Sequence, residues 1–153
     1  MKACVDIGGT KVAVTLARTS AKGDELLKLT RCVEPTAKEG ATDAVAQQVL
    51  RLTQKAQALA LQNGIAESDV ATLSAMGISA CGPFVLNQGM VELAAPNICG
   101  GLAGPERGLP NTWMSALLEA PLLANLPSTR IRVDNDGVAA LEAERNWGAL
   151  KGY

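Results

Sequence analysis

The most distinctive stretch of the sequence sets an acid, two glycines, a hydroxyl and a lysine side by side, as Asp6-Ile7-Gly8-Gly9-Thr10-Lys11. Alternating apolar runs flank it on both sides, so it is predicted to form a tight hairpin turn. Backbone N–H groups converge in such a turn and no Cβ blocks the approach, which suits phosphate oxygens. The glycine spacing is not that of a Walker loop. Because Gly-Gly is a common turn dipeptide, a plain hairpin turn is the alternative.

A second polar stretch, Asp134-Asn135-Asp136, follows a predicted strand and precedes a predicted helix. The chain has no histidine, so a general base must be a carboxylate or, less favourably, a lysine. Asp136 lies where the helix dipole favours an ionised carboxylate, which is the form that a base needs. Capping of the helix is the alternative role, and one residue can do both. Alternation along the strand places Asp134 and Asn135 on opposite faces.

The composition argues against two classes of partner. The chain has 153 residues and a formal net charge of −1, and it shows no basic stripe, so nucleic acid is a poor candidate. The aromatic residues are too few to form a stacking platform for single strands. No apolar run is long enough to span a membrane. The first residues lack the apolar core of a signal peptide, so we expect a cytoplasmic protein.

The four cysteines are far apart in the sequence and form no C-x-x-C pair. With no histidine to help, no zinc site is expected within this chain. Cys4, Cys32, Cys81 and Cys99 are therefore expected to serve as small buried apolar residues in a reducing compartment.

The elements that must position the two polar stretches follow from hydrophobic periodicity. Strands are predicted at residues 2–7, 11–18, 25–33, 70–79 and 130–133, with a small hairpin at 84–93 around Asn87-Gln88-Gly89. A long helix is predicted from a cap at 40–43 to a stop at Asn63-Gly64. Shorter helices are predicted at 113–119 and 138–150, irregular structure at 94–110, and a connector at 121–127.

Three antiparallel strands followed by strand–helix crossovers predict an α/β fold with a mixed five-stranded sheet and flanking helices. This order is that of a ribonuclease-H-like, actin-like ATPase half-domain. Ligands in such sheets gather at strand ends and loops, where backbone groups are free. The first hairpin turn and the end of the fifth strand are two such places.

Four motifs in this order resemble the ROK (repressor, open reading frame, kinase) family of sugar kinases. The Asp6–Lys11 stretch resembles its first phosphate motif. Residues 76–83 resemble its G-x-x-x-P-G-P segment, with Cys81 in place of a proline. Ala95-Pro96-Asn97 resembles its A-P-N sugar segment, and residues 134–140 resemble its E-N-D-A-N-A-A motif. Each motif is weak alone, but together they span residues 6–140.

The resemblance implies an ATP-dependent hexose kinase of the glucokinase type, with the active site between two lobes. Asp6 would orient Mg²⁺ through water, and Gly8, Gly9, Thr10 and Lys11 would face the ATP phosphates. Asp136 would be the general base that accepts the proton of the sugar hydroxyl. Asn97 and Asn135 would hydrogen-bond the sugar.

The sequence also departs from the family pattern. Val138 replaces the second asparagine of N-D-x-N, Asp134 replaces a glutamate, and residues 100–110 resemble an extra loop near the sugar entrance. These differences bear on the substrate more than on the reaction. The second phosphate motif, the E-x-G-H segment and the cysteine-rich zinc motif are absent. The end of the chain, residues 147–153, resembles the W-x-G-A-x-K-G run that leads into the second lobe.

Residues 1–153 are therefore expected to form the N-terminal lobe of a sugar kinase, with little activity alone. Its partners would be a hexose and its own C-terminal lobe, and the parent protein could form a homodimer. Two alternatives are a sugar-sensing relative without catalysis and another actin-like ATPase. Repressors of the family carry a DNA-binding domain before the first phosphate motif, and only five residues precede Asp6.

Overall fold

A computed structural model describes residues 1–23, 26–100, 102–103 and 114–152. Ten strands and five helices lie within these residues. The strands are β1 Lys2–Ile7, β2 Lys11–Thr19, β3 Leu26–Pro35, β4 Gly40–Ala41, β5 Ala75–Ala80, β6 Phe84–Asn87, β7 Met90–Leu93, β8 Leu102–Ala103, β9 Ala116–Leu117 and β10 Arg130–Asn135. The helices are α1 Ala44–Gln62, α2 Glu67–Ala71, α3 Pro96–Cys99, α4 Glu119–Asn125 and α5 Asp136–Trp147.

The predicted mixed five-stranded sheet is confirmed, with strand order β10-β5-β1-β2-β3. Strands β1, β2 and β3 form an antiparallel meander, whereas β5 and β10 run parallel to β1. This order and these directions are those of a ribonuclease-H-like half-domain. Two small sheets join β4 to β8 and β6 to β7 and β9.

One face of the sheet packs against α1 and forms the core. Side chains at alternate positions of β1, β2 and β5 are buried there, because alternation turns them all toward the same face of the sheet. Apolar side chains of α1 at spacings of three and four residues meet them, including Val45, Val49 and Leu52. The Thr30 hydroxyl of β3 donates a hydrogen bond of 3.0 Å to the Ala56 carbonyl and adds a polar tie.

Both ends of α1 lie where the sequence predicts them. Asp43 occupies the N-cap position, although its side chain accepts from the Gln47 amide at 2.9 Å instead of from the backbone. Asn63 is the C-cap, and Gly64 follows with a φ of 82°. Such a positive φ favours glycine, which explains the stop. The hairpin of β6 and β7 is also confirmed, with Gln88 and Gly89 both at positive φ, as its two-residue turn requires.

Four element predictions are wrong. The stretch 94–110, predicted to be irregular, contains the short helix α3 and the short strand β8 within its described residues. The strand predicted at 70–79 is α2 followed by the shorter β5, and Val70 is buried in the helix. The helix predicted at 113–119 is not formed over 116–117, which is β9, and Trp113 lies outside the described residues. The connector predicted at 121–127 is largely α4, because Pro121 falls in the first turn, where a helix tolerates the missing N–H.

The last helix differs from the prediction in its packing. Strand β10 continues to Asn135, and α5 begins at Asp136. Leu141 and Trp147 were expected on a buried apolar face, but they are 51% and 60% exposed, and no residue of α5 is buried. The helix extends from the sheet edge with only loose contacts to β10 and β5.

The sequence predicts four buried cysteines, and this is wrong for two of them. Cys32 and Cys99 are buried, Cys81 is half-buried, and Cys4 is exposed. Within the described ranges, no helix has the length and apolarity needed to cross a bilayer.

Candidate functional site

The carboxyl ends of three parallel strands lie side by side. Ile7 of β1, Ala80 of β5 and Asn135 of β10 are level in the strand register. The segments that follow them therefore leave the sheet at one edge: the turn at 8–10, the loop at 81–83, and the start of α5. Ligands bind at such edges because the loops there present free backbone groups.

The first turn is held in shape by Thr36. The Gly8 N–H donates to the Lys11 carbonyl at 2.9 Å and closes the turn. The buried Thr36 hydroxyl donates to the Gly8 carbonyl at 2.7 Å, and the Thr36 N–H donates to the Thr10 carbonyl at 3.2 Å. These carbonyls are thus satisfied from the side of β3, and the conformation of the turn is fixed.

Residues 35–37, which we call the strap, are fixed in turn by α1. Gln48 is 2% exposed; its side-chain amide donates to the Pro35 carbonyl at 2.7 Å and accepts from the Ala37 N–H at 2.9 Å. Sequence reasoning missed Gln48 and Thr36. A signal existed for Gln48, since a polar residue interrupts the apolar stripe of α1 between Val45 and Leu52.

The turn also lies against Asn97. A Cβ added to Gly9 would overlap the side-chain amide of Asn97, so only glycine fits there without a shift. Asn97 is exposed on α3, whose neighbouring residues Ile98 and Cys99 are buried beneath it. The Cys99 thiol donates to the Leu93 carbonyl at 3.2 Å, and burial raises its pKa to about 11. This anchoring presents Asn97 directly to the turn.

Asn135 serves as the N-cap of α5. Its side-chain oxygen accepts from the Gly137 N–H at 3.0 Å. Its side-chain nitrogen lies 3.3 Å from where a Cβ of Gly82 would be, so the loop and the helix start are close together. The residue predicted to contact a sugar therefore uses its oxygen for the cap, and its nitrogen faces the loop.

Asp136 is the first residue of α5 and is exposed. Its carboxylate accepts from the Gly137 N–H at 2.8 Å, at a helix end that favours negative charge. The alternative role predicted for Asp136, the helix cap, belongs to Asn135, which occupies the N-cap position. Asp134 lies in β10 and pairs with Arg132 at 3.2 Å on an exposed face of the sheet.

The pKa of the Cys81 thiol depends on both predicted acids. Burial raises this pKa, and the negative charges of Asp136 and Asp6 raise it further. Both carboxylates therefore contribute to the electrostatics of one thiol, although they come from opposite ends of the sequence. The Cys81 N–H donates to the Ile7 carbonyl at 3.4 Å, which ties the loop to the strand that carries Asp6.

The structure does not join every predicted residue to this group. Thr10 and Lys11 are exposed at the start of β2, and within the described residues no hydrogen bond or ion pair connects Lys11 with Asp6 or Asp136. Likewise, no cluster of three or more cysteine or acidic side chains in the described part of the chain could hold a metal ion directly. A single exposed carboxylate at Asp6 fits a contact with Mg²⁺ through water.

A cleft of about 670 Å³ lies elsewhere, between α1, the segment after α2, and the segment between α4 and β10. Its polar lining includes Gln57, Asn125 and Thr129, which all donate to backbone carbonyls of the protein. Arg51 is the one ionisable residue among those that line this cleft, and it pairs with Glu34 at 2.7 Å. The chemistry of the described residues is therefore concentrated at the strand ends.

Comparisons with known proteins give remote structural neighbours. No protein-family model matches the chain, and no curated protein matches it. A candidate N-acetylmannosamine kinase from Listeria monocytogenes is 17% identical with a TM-score of 0.47, over 99% of this chain and 40% of that one. A nucleotide-free diol dehydratase-reactivating factor is 24% identical with a TM-score of 0.35, over 57% of this chain and 14% of that one. This chain thus spans less than half the length of either neighbour.

Proposed function

We propose that residues 1–153 form the N-terminal lobe of an ATP-dependent hexose kinase of the ROK type, glucokinase-like in its reaction. The observation that carries the proposal is the convergence of separate polar segments at one sheet edge. Gly9 lies against Asn97, and Gly82 lies against Asn135. The charges of Asp6 and Asp136 both raise the pKa of the Cys81 thiol. A hexose kinase needs a phosphate cradle, a sugar contact and a base next to one another.

We assign each side chain a role that its position allows. The fixed turn at Gly8 to Thr10 would hold phosphate oxygens with its backbone, and Lys11 would add charge. Asp6 would hold Mg²⁺ through water. When bound, Mg-ATP supplies the phosphoryl group and neutralises the charge that develops on it. Asn97 would bind a sugar hydroxyl beside the turn, with the free amide of Asn135 as a second contact.

Asp136 would accept the proton from the attacking sugar hydroxyl. It is the exposed carboxylate at this edge that follows a parallel strand and begins a helix. Its neighbour Asp134 is already paired with Arg132, so it is the weaker candidate. A second lobe would have to supply the remaining nucleotide contacts, and we propose that the active enzyme contains one.

The test uses the full-length parent and measures ATP consumption with a panel of hexoses. Asp136→Asn should lower kcat by about 10²–10⁴-fold, the usual contribution of a positioned general base, while sugar binding persists. Asp134→Asn is the matched control, and it should keep most of the activity because its carboxylate is not at the reacting centre.

Three results would contradict the proposal in different ways. Unchanged turnover in Asp136→Asn would show that Asp136 is not the general base. Sugar binding by calorimetry without any phosphorylation would indicate a sensing protein. ATP turnover that no hexose stimulates would indicate another actin-like ATPase.

A further inference from the structure

Thr36 continues the pairing of β2 with β3 beyond the sheet and reaches the first turn. The last pair in the strand register joins Lys11 to Pro35. One step further, the Thr36 N–H donates to the Thr10 carbonyl at 3.2 Å, and the Thr36 hydroxyl donates to the Gly8 carbonyl at 2.7 Å. Thr36 is 7% exposed, so water competes little for either bond. One residue therefore holds two carbonyls of the turn.

The hydroxyl bond takes the place of the bond that usually closes a β-turn. In such a turn the first carbonyl commonly accepts from the N–H three residues later. In this turn those groups are the Gly8 carbonyl and the Lys11 N–H, and among the described residues no hydrogen bond joins them. The Gly8 carbonyl bonds instead to Thr36, 28 positions further along the chain. The shape of the turn is therefore set from outside the turn.

This bond also fixes the direction of the N–H that follows it. The peptide that joins Gly8 to Gly9 is trans, and the C=O and N–H of a planar trans peptide point in opposite directions. Since the Gly8 carbonyl faces Thr36, the Gly9 N–H faces away from Thr36. The N–H groups of Gly9 and Thr10 donate to no acceptor within the described ranges. Successive free N–H groups in a turn make a concavity that suits an anion.

Thr36 is itself held from both sides by Gln48 of α1. The side-chain nitrogen of Gln48 donates to the Pro35 carbonyl at 2.7 Å, and its oxygen accepts from the Ala37 N–H at 2.9 Å. These two groups belong to the peptides immediately before and after Thr36, so one buried amide fixes the backbone on both sides of it. The direction of the Thr36 hydroxyl is therefore limited before any ligand binds. Groups that are held in place in advance lose little entropy on binding.

We propose that Thr36 is a positioning residue for the phosphate groups of a nucleoside triphosphate. It holds the turn in the conformation in which the Gly9 and Thr10 N–H groups face one phosphate. Without the hydroxyl, the Gly8 carbonyl would be free to turn toward the Lys11 N–H, and the Gly9 N–H would turn with it. Thr36 acts through the turn, because both of its donors are already used there. The inference rests on the proposed function, which supplies the nucleotide as the ligand.

The test removes the hydroxyl and measures nucleotide affinity in the full-length parent. Thr36→Val has nearly the same shape and keeps the backbone N–H, but it loses the bond to the Gly8 carbonyl. Its Kd for Mg-ATP by calorimetry and its KM for Mg-ATP should both rise about tenfold, which is the effect of one buried hydrogen bond. The KM for the hexose should not change. Thr36→Ser keeps the hydroxyl and should restore the affinity of the wild type for Mg-ATP.

Thr30→Val is the matched control, because Thr30 is a buried threonine of β3, the strand that leads to Thr36. Its hydroxyl donates to the Ala56 carbonyl at 3.0 Å, away from the turn. The two valine variants should lose similar stability in thermal denaturation, whereas only Thr36→Val should bind Mg-ATP less tightly. A merely structural role for Thr36 predicts equal nucleotide affinity in both.

The turn itself can be followed in residues 1–153 without any substrate. The amide signals of Gly9 and Thr10 in the NMR spectrum should shift in Thr36→Val, because the peptide before Gly9 rotates. They should stay in place in Thr36→Ser and Thr30→Val. Thr36→Ala also lacks the hydroxyl, and it gives the same comparison if the valine variant does not fold. Circular dichroism shows whether each variant is folded.

The outcomes separate this inference from the proposed kinase function. Equal Mg-ATP affinity in Thr36→Val and the wild type would overturn the inference, even in a parent that phosphorylates a hexose. Weaker Mg-ATP binding in Thr36→Val alone, in a parent whose ATP turnover no hexose stimulates, would support the inference and overturn the kinase function. A parent that binds no Mg-ATP would overturn both. Unmoved amide signals in Thr36→Val would show that the hydroxyl does not set the turn, and would also overturn the inference.

Discussion

The two sides of the candidate site differ in how they are held. The turn side, residues 8–10, is bonded to Thr36, and the strap is bonded to Gln48, both of which are buried. The acid side consists of Asn135 and Asp136, whose side chains both bond to the Gly137 N–H, at the start of a helix with no buried residue. The turn is thus held by buried side chains of this chain, whereas Asn135 and Asp136 have no such support beneath them among the residues of α5.

Gln48→Leu should have the largest effect, because it removes both bonds to the strap. Leucine has a similar volume, so the loss is that of hydrogen bonds and not of packing. The Pro35 carbonyl and the Ala37 N–H would be left without their partner, at a cost of about 2–4 kcal/mol in the free energy of unfolding. Urea denaturation measures this loss, and hydrogen exchange should show the turn loosening with it.

Thr53→Val is the control for that substitution. Thr53 is buried on the same helix, but its hydroxyl only donates back to the Val49 carbonyl within α1. Its loss should change stability by less than about 1 kcal/mol. Equal losses in the two variants would show that the strap has no special part in stability.

Gly9→Ala tests the contact between the turn and Asn97. The new Cβ would overlap the Asn97 amide, so α3 or the turn must shift, at a cost of about 1–3 kcal/mol. Gly8→Ala is the matched control, since its Cβ would meet only the Lys11 carbonyl, at 3.4 Å. Thermal denaturation of both variants measures the difference.

The double variant Gly9→Ala with Asn97→Ala sharpens the same test. Removing the amide should relieve most of the overlap, so the two changes should not be additive. Additive losses would mean that the strain lies elsewhere in the turn.

The sequence predicted the parts of the molecule that depend on local patterns. Alternation over residues 2–7 and 11–18, the Asn63-Gly64 stop and the Asn87-Gln88-Gly89 turn each express a preference of a few adjacent residues. The mixed sheet follows from the order of such elements. The polar segments 6–11 and 134–136 were likewise found from their residue types.

The sequence did not predict what depends on distant contacts. Thr36 and Gln48 matter because of carbonyl groups far from them in the chain, and no local pattern shows that. The exposure of α5 was missed because its spacing of apolar residues indicates a buried face without saying what covers it. Pro121 suggested a break, although its place in the first turn of α4 makes it compatible with a helix.

The smallest expected effect concerns the acid side and the pKa of Cys81. The charge of Asp136 raises this pKa, so Asp136→Asn should lower it and increase the thiolate fraction below the pKa. Two charges near the surface interact by roughly 1 kcal/mol, so alkylation of Cys81 by iodoacetamide near neutral pH should become up to about fivefold faster. Peptide mapping by mass spectrometry follows each cysteine separately.

The exposed Cys4 is the internal control for that rate. Partial desolvation by the surrounding sheet raises the pKa of Cys4 and the charge of Lys2 lowers it, with no contribution from Asp136, so its alkylation should not change. Asp6→Asn should also speed the alkylation of Cys81, but by less, because the charge of Asp6 raises the pKa of this thiol less than that of Asp136 does. If neither substitution altered the rate at Cys81, the two acids would not share one neighbourhood.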